Sequence, residues 1–134
     1  MANYVYDKAA GALWSGDIAY DTDVIHAYLI DTALYTPDKV SDDFLADIPA
    51  GARKAGPITL ASKSITGRII DAADVVFPSV AAGDPCEAVV LVQDTGAEAS
   101  SKLIIQADTA TGLPVTPNGQ DITVIWNGSG IATL

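Results

Sequence analysis

The sequence predicts an all-β protein, an antiparallel β-sandwich or flattened barrel of about seven or eight short strands with one short helix. Composition is the first reason, because charged residues make up 18% of the chain and Lys plus Arg total 7, whereas helical proteins carry more Lys, Glu and Leu. The second is the recurrence of short β-branched runs between Gly, Pro, Asn and Asp turns at spacings of roughly 8–14 residues. The third is size: 134 residues, 49% of them hydrophobic, suffice for one core without metal or disulfide. We therefore expect a single β domain over residues 1–134.

The segment from Val24 to Ile30 is the first predicted strand. Both of its alternating faces are largely apolar, so the strand is expected to be packed on two sides or to lie at an interface. A helix is the alternative, because Ile25, Leu29 and Ala33 are four residues apart. The β-branched and aromatic content favours the strand.

One short helix is predicted near residues 42–48. Ser41 is suited to cap its N-terminus, two acidic residues follow as the helix dipole prefers, and Pro49 ends it. Leu45 and Ile48 would then share one helix face and close one end of the core.

The remaining chain is predicted to alternate between strands and turns. Ala88–Gln93 is a continuous apolar run, which predicts a central strand covered on both faces. Asn127-Gly128 is a hairpin signal before the last strand. Further strands are expected at residues 57–60, at 64–70 with a bulge or turn at Gly67, and at 71–77, 102–108, 121–126 and the C-terminus.

The polar stretch TGLPVTPNG, residues 111–119, is either a functional loop or a connection between strands. Pro114 and Pro117 fix φ and remove two N–H donors, so they should hold Val115 and Thr116 extended and deny them regular pairing. A lid needs mobility, and a phosphate cradle needs free N–H donors. The prolines therefore favour a rigid connection.

The acidic balance argues against nucleic acid as a partner. The net charge is −10 at pH 7 and the largest basic cluster is Arg53-Lys54, whereas phosphate binding needs clustered Lys and Arg. No apolar run approaches the roughly 20 residues of a membrane helix, so no membrane association is expected. The N-terminus lacks a basic segment followed by an apolar core, so we expect synthesis in a cytosol.

Candidate catalytic and metal-binding residues are few. His26, the only histidine, lies within an apolar run and Cys86, the only cysteine, lies in a turn, so a nucleophile–histidine–acid triad is not expected. These two residues cannot form a structural zinc site. Calcium stays open because Asp21–Asp23 and the acids of Asp42–Asp47 supply carboxylates, although without the spacing of an EF-hand loop. We predict a non-enzyme with no catalytic residue, no cofactor and no bound metal.

The stretch TGLPVTPNG followed by ITVIW resembles the C-terminal signature of small virion proteins of tailed bacteriophages. The resemblance continues through AYLIDTALYTPD, FLADIPAGAR, DAADVVF and EAVVLVQDTG, and so covers most of the chain. It implies a non-enzymatic structural protein of the head decoration or capsid cement type. Such a protein would bind the outer face of the major capsid protein lattice as a trimer or dimer, after synthesis in the bacterial host cytoplasm.

The N-terminal segment is the predicted contact with the capsid. Residues 1–14 carry Tyr4, Tyr6, Leu13 and Trp14 ahead of the first strong strand, and aromatic side chains are enriched in interface hot spots. They predict an interface arm. The alternative is an ordinary first strand with Tyr4 and Tyr6 on one face.

Three other functions stay open. A tail or head–tail connector component would share the composition. A carbohydrate-binding module on the virion surface would need Trp14 or Trp126 exposed in a shallow groove. A hydrolase would need paired carboxylates, whose separation is a property of the fold.

Overall fold

A five-stranded antiparallel sheet organises the fold in the computed structural model, which describes residues 3–134. These residues form one α-helix, α1 (Asp7–Ser15), two single-turn 3₁₀ helices (Leu45–Asp47 and Ala50–Ala52) and ten strands. The strands are β1 (Tyr4–Val5), β2 (Ile25–Ile30), β3 (Arg53–Thr59), β4 (Ser64–Thr66), β5 (Ile69–Asp71), β6 (Val75–Phe77), β7 (Ala88–Gln93), β8 (Leu103–Ala107), β9 (Ile122–Val124) and β10 (Ala132–Thr133). The large sheet has the order β1-β8-β7-β2-β3, a second sheet has the order β10-β5-β4, and β6 pairs with β9. The predicted all-β, sandwich-like class with one short helix is confirmed.

Strands β7 and β8 form the centre of the core. Every residue of β8 is buried, and so is every residue of β7 except the half-buried Gln93. β2 pairs with β7 along its whole length, from Ile25 opposite Gln93 to Ile30 opposite Ala88. The predicted central strand and the strand assignment of β2 are therefore confirmed. Each large aliphatic side chain buried here contributes about 1.5–3 kcal/mol before the cost in conformational entropy.

The number of strands exceeds the predicted total of about seven or eight for local reasons. The predicted run at 64–70 is two strands, because Gly67, at φ +61°, turns the chain and β4 pairs back on β5. Strand β1, in which Tyr4 lies opposite Gln106, is an additional two-residue strand.

The short helix of one or two turns predicted near residues 42–48 is a single 3₁₀ turn, Leu45–Asp47, rather than an α-helix. The N–H of Leu45 donates to the carbonyl of Ser101 at 2.8 Å, and the N–H of Leu103 donates to the carbonyl of Asp43 at 2.9 Å. The segment therefore pairs with the same edge of β8 as β1 does, further along that strand. Long-range pairing outweighs the local helix signal.

The α-helix lies instead in the segment predicted to be an arm or a first strand. The buried face of α1 includes Ala9 and Ala12, and the helix contacts β8. It begins after Tyr6, which provides no side-chain cap, and ends at Gly16 in the left-handed conformation. No helix among residues 3–134 is long and apolar enough to cross a membrane.

The proline-containing stretch is tied into the sheets more closely than predicted. Val115 and Cys86 exchange two backbone hydrogen bonds of 2.7 and 2.9 Å, so the expectation that Val115 lacks regular pairing is wrong. The N–H of Gly119 donates to the carbonyl of Val80 at 2.8 Å. The chain is thereby anchored at two points between β8 and β9.

The hairpin predicted at Asn127-Gly128 is also wrong. A turn does form, since the N–H of Gly130 donates to the carbonyl of Asn127 at 2.9 Å. However, β9 pairs with β6 whereas β10 pairs with β5. The turn therefore carries the chain from one small sheet to another.

Candidate interaction surface at the N-terminal helix

Tyr4 and Tyr6 lie on one face of the first extended segment, with ring centroids 5.6 Å apart in an edge-to-face arrangement. Tyr4 is half-buried, whereas Tyr6 is 0% exposed. The N–H of Tyr6 donates to the carbonyl of Ile104 at 2.9 Å. Within the predicted arm, Tyr4–Val5 form a strand of the sheet, Tyr6 continues this pairing, and residues 7–14 belong to α1; Met1 and Ala2 lie outside the described residues.

Buried hydrogen bonds explain the position of Tyr6. Its hydroxyl lies 2.8 Å from that of Tyr35, which donates to a carboxylate oxygen of Asp42 at 2.6 Å. Burial raises the pKa of both tyrosines, and the bond to Asp42 raises that of Tyr35 further. Both hydroxyls thus stay protonated, and Tyr6 acts within the core rather than at a surface.

Trp14 is the most exposed large apolar side chain among the described residues, at 83%. It lies on the outer side of α1, away from the buried Ala9 and Ala12. Leu13, the preceding residue, is half-buried and packs against the core. Of the four predicted interface residues, Trp14 is thus exposed on α1, and Leu13, which precedes it in the sequence, is partly exposed.

Leu13 lines a small apolar groove between α1 and the β4–β5 hairpin. The groove has a volume of about 90 Å³, and its walls include Ile65, Arg68 and Leu134. Ile65 is 50% exposed and Leu134 is 42% exposed. The N–H of Leu134 donates to the carbonyl of Arg68 at 2.8 Å, which places the C-terminal residue beside the hairpin turn.

We call Leu13, Trp14, Ile65 and Leu134 the helix–hairpin surface. Contiguous exposed apolar side chains are typical of contact sites, whereas isolated ones are common on any surface. Ile65 and Leu134 could not be recognised as surface residues from the sequence, because an apolar residue in a short alternating strand faces the core as often as solvent. The β4–β5 pairing decides the orientation of Ile65.

His26 and Cys86 are far apart, as the strand register shows. His26 lies opposite Val92, six residues beyond Cys86, which corresponds to about 20 Å of extended chain. Nε2 of His26 lies 3.9 Å from a carboxylate oxygen of Asp94. Burial, followed by the charges of Asp31 and Glu87, raises the pKa of the Cys86 thiol to about 11. The pair cannot act together as nucleophile and base.

Three of the acidic residues considered for calcium, Asp23, Asp42 and Asp47, already accept backbone or side-chain N–H groups. One oxygen of Asp23 accepts from the N–H of Ala19 at 2.8 Å and from the Gln93 amide at 2.7 Å. The carboxylate of Asp47 accepts from the N–H groups of Asp43 and Phe44 at 2.9 and 3.0 Å. Among residues 3–134 no group of three or more His, Cys, Asp or Glu side chains is arranged to hold a metal ion.

Trp126 is in the core, 6% exposed. Its indole N–H donates to the carbonyl of Ala73 at 3.2 Å, and its backbone N–H donates to the carboxylate of Asp74 at 3.0 Å. It is therefore not available to stack on a ligand at the surface.

Compared with known proteins, the chain matches no family model and no curated protein.

Proposed function

We propose that this chain is a non-enzymatic structural protein of a tailed-phage virion, a decoration or cement protein that binds the outer surface of the capsid and stabilises it. Its partner is the major capsid protein lattice, on which it assembles as a trimer or dimer. The observation that carries the proposal is the helix–hairpin surface, in which Trp14 is 83% exposed on α1 while the exposed Ile65 and Leu134 flank the apolar groove that Leu13 lines.

The physical character of the chain supports this role. Tryptophan is enriched among the residues that anchor protein interfaces, and Trp14 is exposed on the outer side of α1. The net charge of −10 suits the outer face of a capsid, because the DNA-filled interior would repel an acidic protein. The phage-like segments described from the sequence support the same assignment.

Binding to decoration-free capsids of the parent phage tests the role of the surface. Trp14→Ser should weaken co-sedimentation with capsids by at least about tenfold, as loss of a hot-spot residue does. Because the side chain is exposed, the free energy of unfolding should change by less than about 0.5 kcal/mol. Val40→Ser is the matched control, since Val40 is 63% exposed but lies in the loop after β2. Equal binding by wild type and Trp14→Ser would rule out this surface as the contact.

Electron cryomicroscopy of the parent particle tests the location. We expect density for this fold on the outer capsid surface, at or near a symmetry axis. Density on the tail or at the head–tail connector would replace the proposal with the tail or connector role. Purified protein should also raise the temperature at which undecorated capsids disrupt; an unchanged temperature would contradict a cementing function.

A further inference from the structure

A second surface feature is a cavity of about 400 Å³ on the side of the large sheet that carries Tyr4. Its walls come from β1, from the end of β8 and from the loops that follow β2 and precede β7. Its lining includes Tyr4, Pro37, Lys39, Glu87, Gln106 and Asp108. The volume falls within the range of about 300–1,000 Å³ that small-molecule pockets occupy.

Gln106 is the buried polar group of this cavity, 3% exposed. Its Nε2 donates no hydrogen bond to any of residues 3–134, and its Oε1 lies 3.4 Å from the Tyr6 hydroxyl. That contact is longer than the about 2.5–3.0 Å of a good hydroxyl hydrogen bond. The Tyr6 proton is also engaged, because Tyr35 gives its own proton to Asp42 and so accepts from Tyr6. The amide of Gln106 therefore retains donors that can bond to a ligand or to water in the cavity.

Glu87 is held in a fixed orientation at another wall. Both the N–H and the hydroxyl of Thr32 donate to its Oε1 at 3.1 Å. Its second oxygen accepts no hydrogen bond from the described part of the chain, and so it remains an acceptor for a ligand. Such positioning by a neighbouring group is what a specific polar contact needs.

Tyr4 adds a flat apolar wall with a polar tip. Its ring is half-buried and meets Tyr6 at the edge, and Pro37 contributes to the same apolar lining. Burial and then the nearby Asp42 and Asp108 carboxylates raise the pKa of the Tyr4 hydroxyl, so it stays a hydrogen-bond donor at neutral pH.

We propose that this cavity binds a neutral saccharide, whose hydroxyl groups bond to Glu87, Gln106 and Asp108 while its C–H face packs on the Tyr4 ring. A sugar ring requires this combination of paired donors and acceptors beside an apolar face. The carboxylates of Glu87 and Asp108 disfavour anionic ligands such as phosphates and acidic sugars. Lys39 also lines the cavity, but its ammonium is paired with the Asp7 carboxylate and so does not offset them. The site is separate from the helix–hairpin surface, and its existence does not depend on the capsid role.

The proposal is tested first on a glycan array of neutral and acidic oligosaccharides. The full chain is then titrated with those neutral sugars that the array shows to bind. Spectra that resolve side-chain amides should show the Gln106 NH₂ signals moving on titration up to about 10 mM sugar. Glu87→Gln should weaken binding by at least about tenfold, because an amide NH₂ cannot accept the hydrogen bond that a sugar hydroxyl donates to the free carboxylate oxygen. Tyr4→Ala should do the same through loss of the ring.

Asp84→Asn is the charge-matched control for Asp108→Asn, because Asp84 is exposed and does not line the cavity. The proposal predicts weaker binding for Asp108→Asn and unchanged binding for Asp84→Asn, in variants whose backbone spectra show the native fold. Absence of any Gln106 shift with every neutral sugar tested would overturn the proposal. Preferential binding of acidic glycans, or the same shifts on adding calcium chloride alone, would overturn it as well.

Discussion

Replacing Gly112 by alanine should destabilise the protein more than the same change at Gly119, seven residues later in the same stretch. Both glycines have a positive φ, +101° and +91°. They differ in their surroundings: a Cβ at Gly112 would overlap the carbonyl oxygen of Thr123, whereas a Cβ at Gly119 meets nothing within 4 Å. The pair separates backbone strain from steric overlap.

The magnitudes follow from these two terms. A positive φ costs a non-glycine residue about 1–2 kcal/mol, offset by about 0.4–1 kcal/mol of reduced unfolded-state entropy, so Gly119→Ala should lose about 1 kcal/mol. Gly112→Ala carries the same loss plus about 1–3 kcal/mol of overpacking against the backbone of β9. Its total should therefore be about 2–4 kcal/mol.

Urea unfolding followed by circular dichroism measures both values under one set of conditions. The dependence of the unfolding free energy on urea should be alike in the two variants, so that the midpoints can be compared directly. Equal losses for Gly112→Ala and Gly119→Ala would refute the steric argument, because only the contact with Thr123 distinguishes the sites.

Three further predictions concern buried and capping groups. Tyr6→Phe removes the proton donated to Tyr35 and should cost about 1–2 kcal/mol in urea unfolding; an unchanged midpoint would show that this bond is not stabilising. The N–H groups of Phe44 and Asp43 hold the pKa of Asp47 below its usual value. The ionised carboxylate therefore stabilises the fold above about pH 4, and this contribution is lost as pH falls through the lower pKa of the folded state. Asp47→Asn should therefore be less stable than wild type at pH 7 and nearly equal to it by about pH 2; a difference independent of pH would contradict this. Burial raises the pKa of the Cys86 thiol to about 11. At pH 8 this thiol should react with a thiol reagent at least about 100-fold more slowly in the native protein than in urea. Fast labelling of the native protein would show that the structure around Cys86 opens.

The strands that could be predicted are those with a strong local pattern of apolar residues. The apolar run of β7 and the alternation of β2 each identify a buried strand without knowledge of its partners. The α-helix was missed because DKAAGALWS contains Gly11 in its middle and follows Tyr6, which offers no side-chain cap. Conversely, Ser41 and the acidic residues after it are typical of a helix start. The conformation of this segment is determined instead by hydrogen bonds to residues distant in the sequence, from Leu45 to Ser101 and from Leu103 to Asp43.

The candidate sites could likewise be predicted only where a local sequence pattern exists. Aromatic content in the first residues pointed to Trp14, but alternation could not distinguish the surface from the core for Tyr6, whose partner Tyr35 is remote in sequence. The cavity joins Glu87, Gln106 and Tyr4 from three separate segments. No spacing in the chain relates these residues, so no motif could have identified them.

The two tryptophans occupy opposite environments, with Trp14 83% exposed and Trp126 6% exposed. The protein therefore contains two independent fluorescent reporters. Iodide in solution should quench the emission of Trp14 and leave that of Trp126 nearly unaffected in the folded state. Contact with a partner through α1 would protect Trp14 from the quencher, while unfolding would expose Trp126, so that association and loss of structure can be followed separately without any added label.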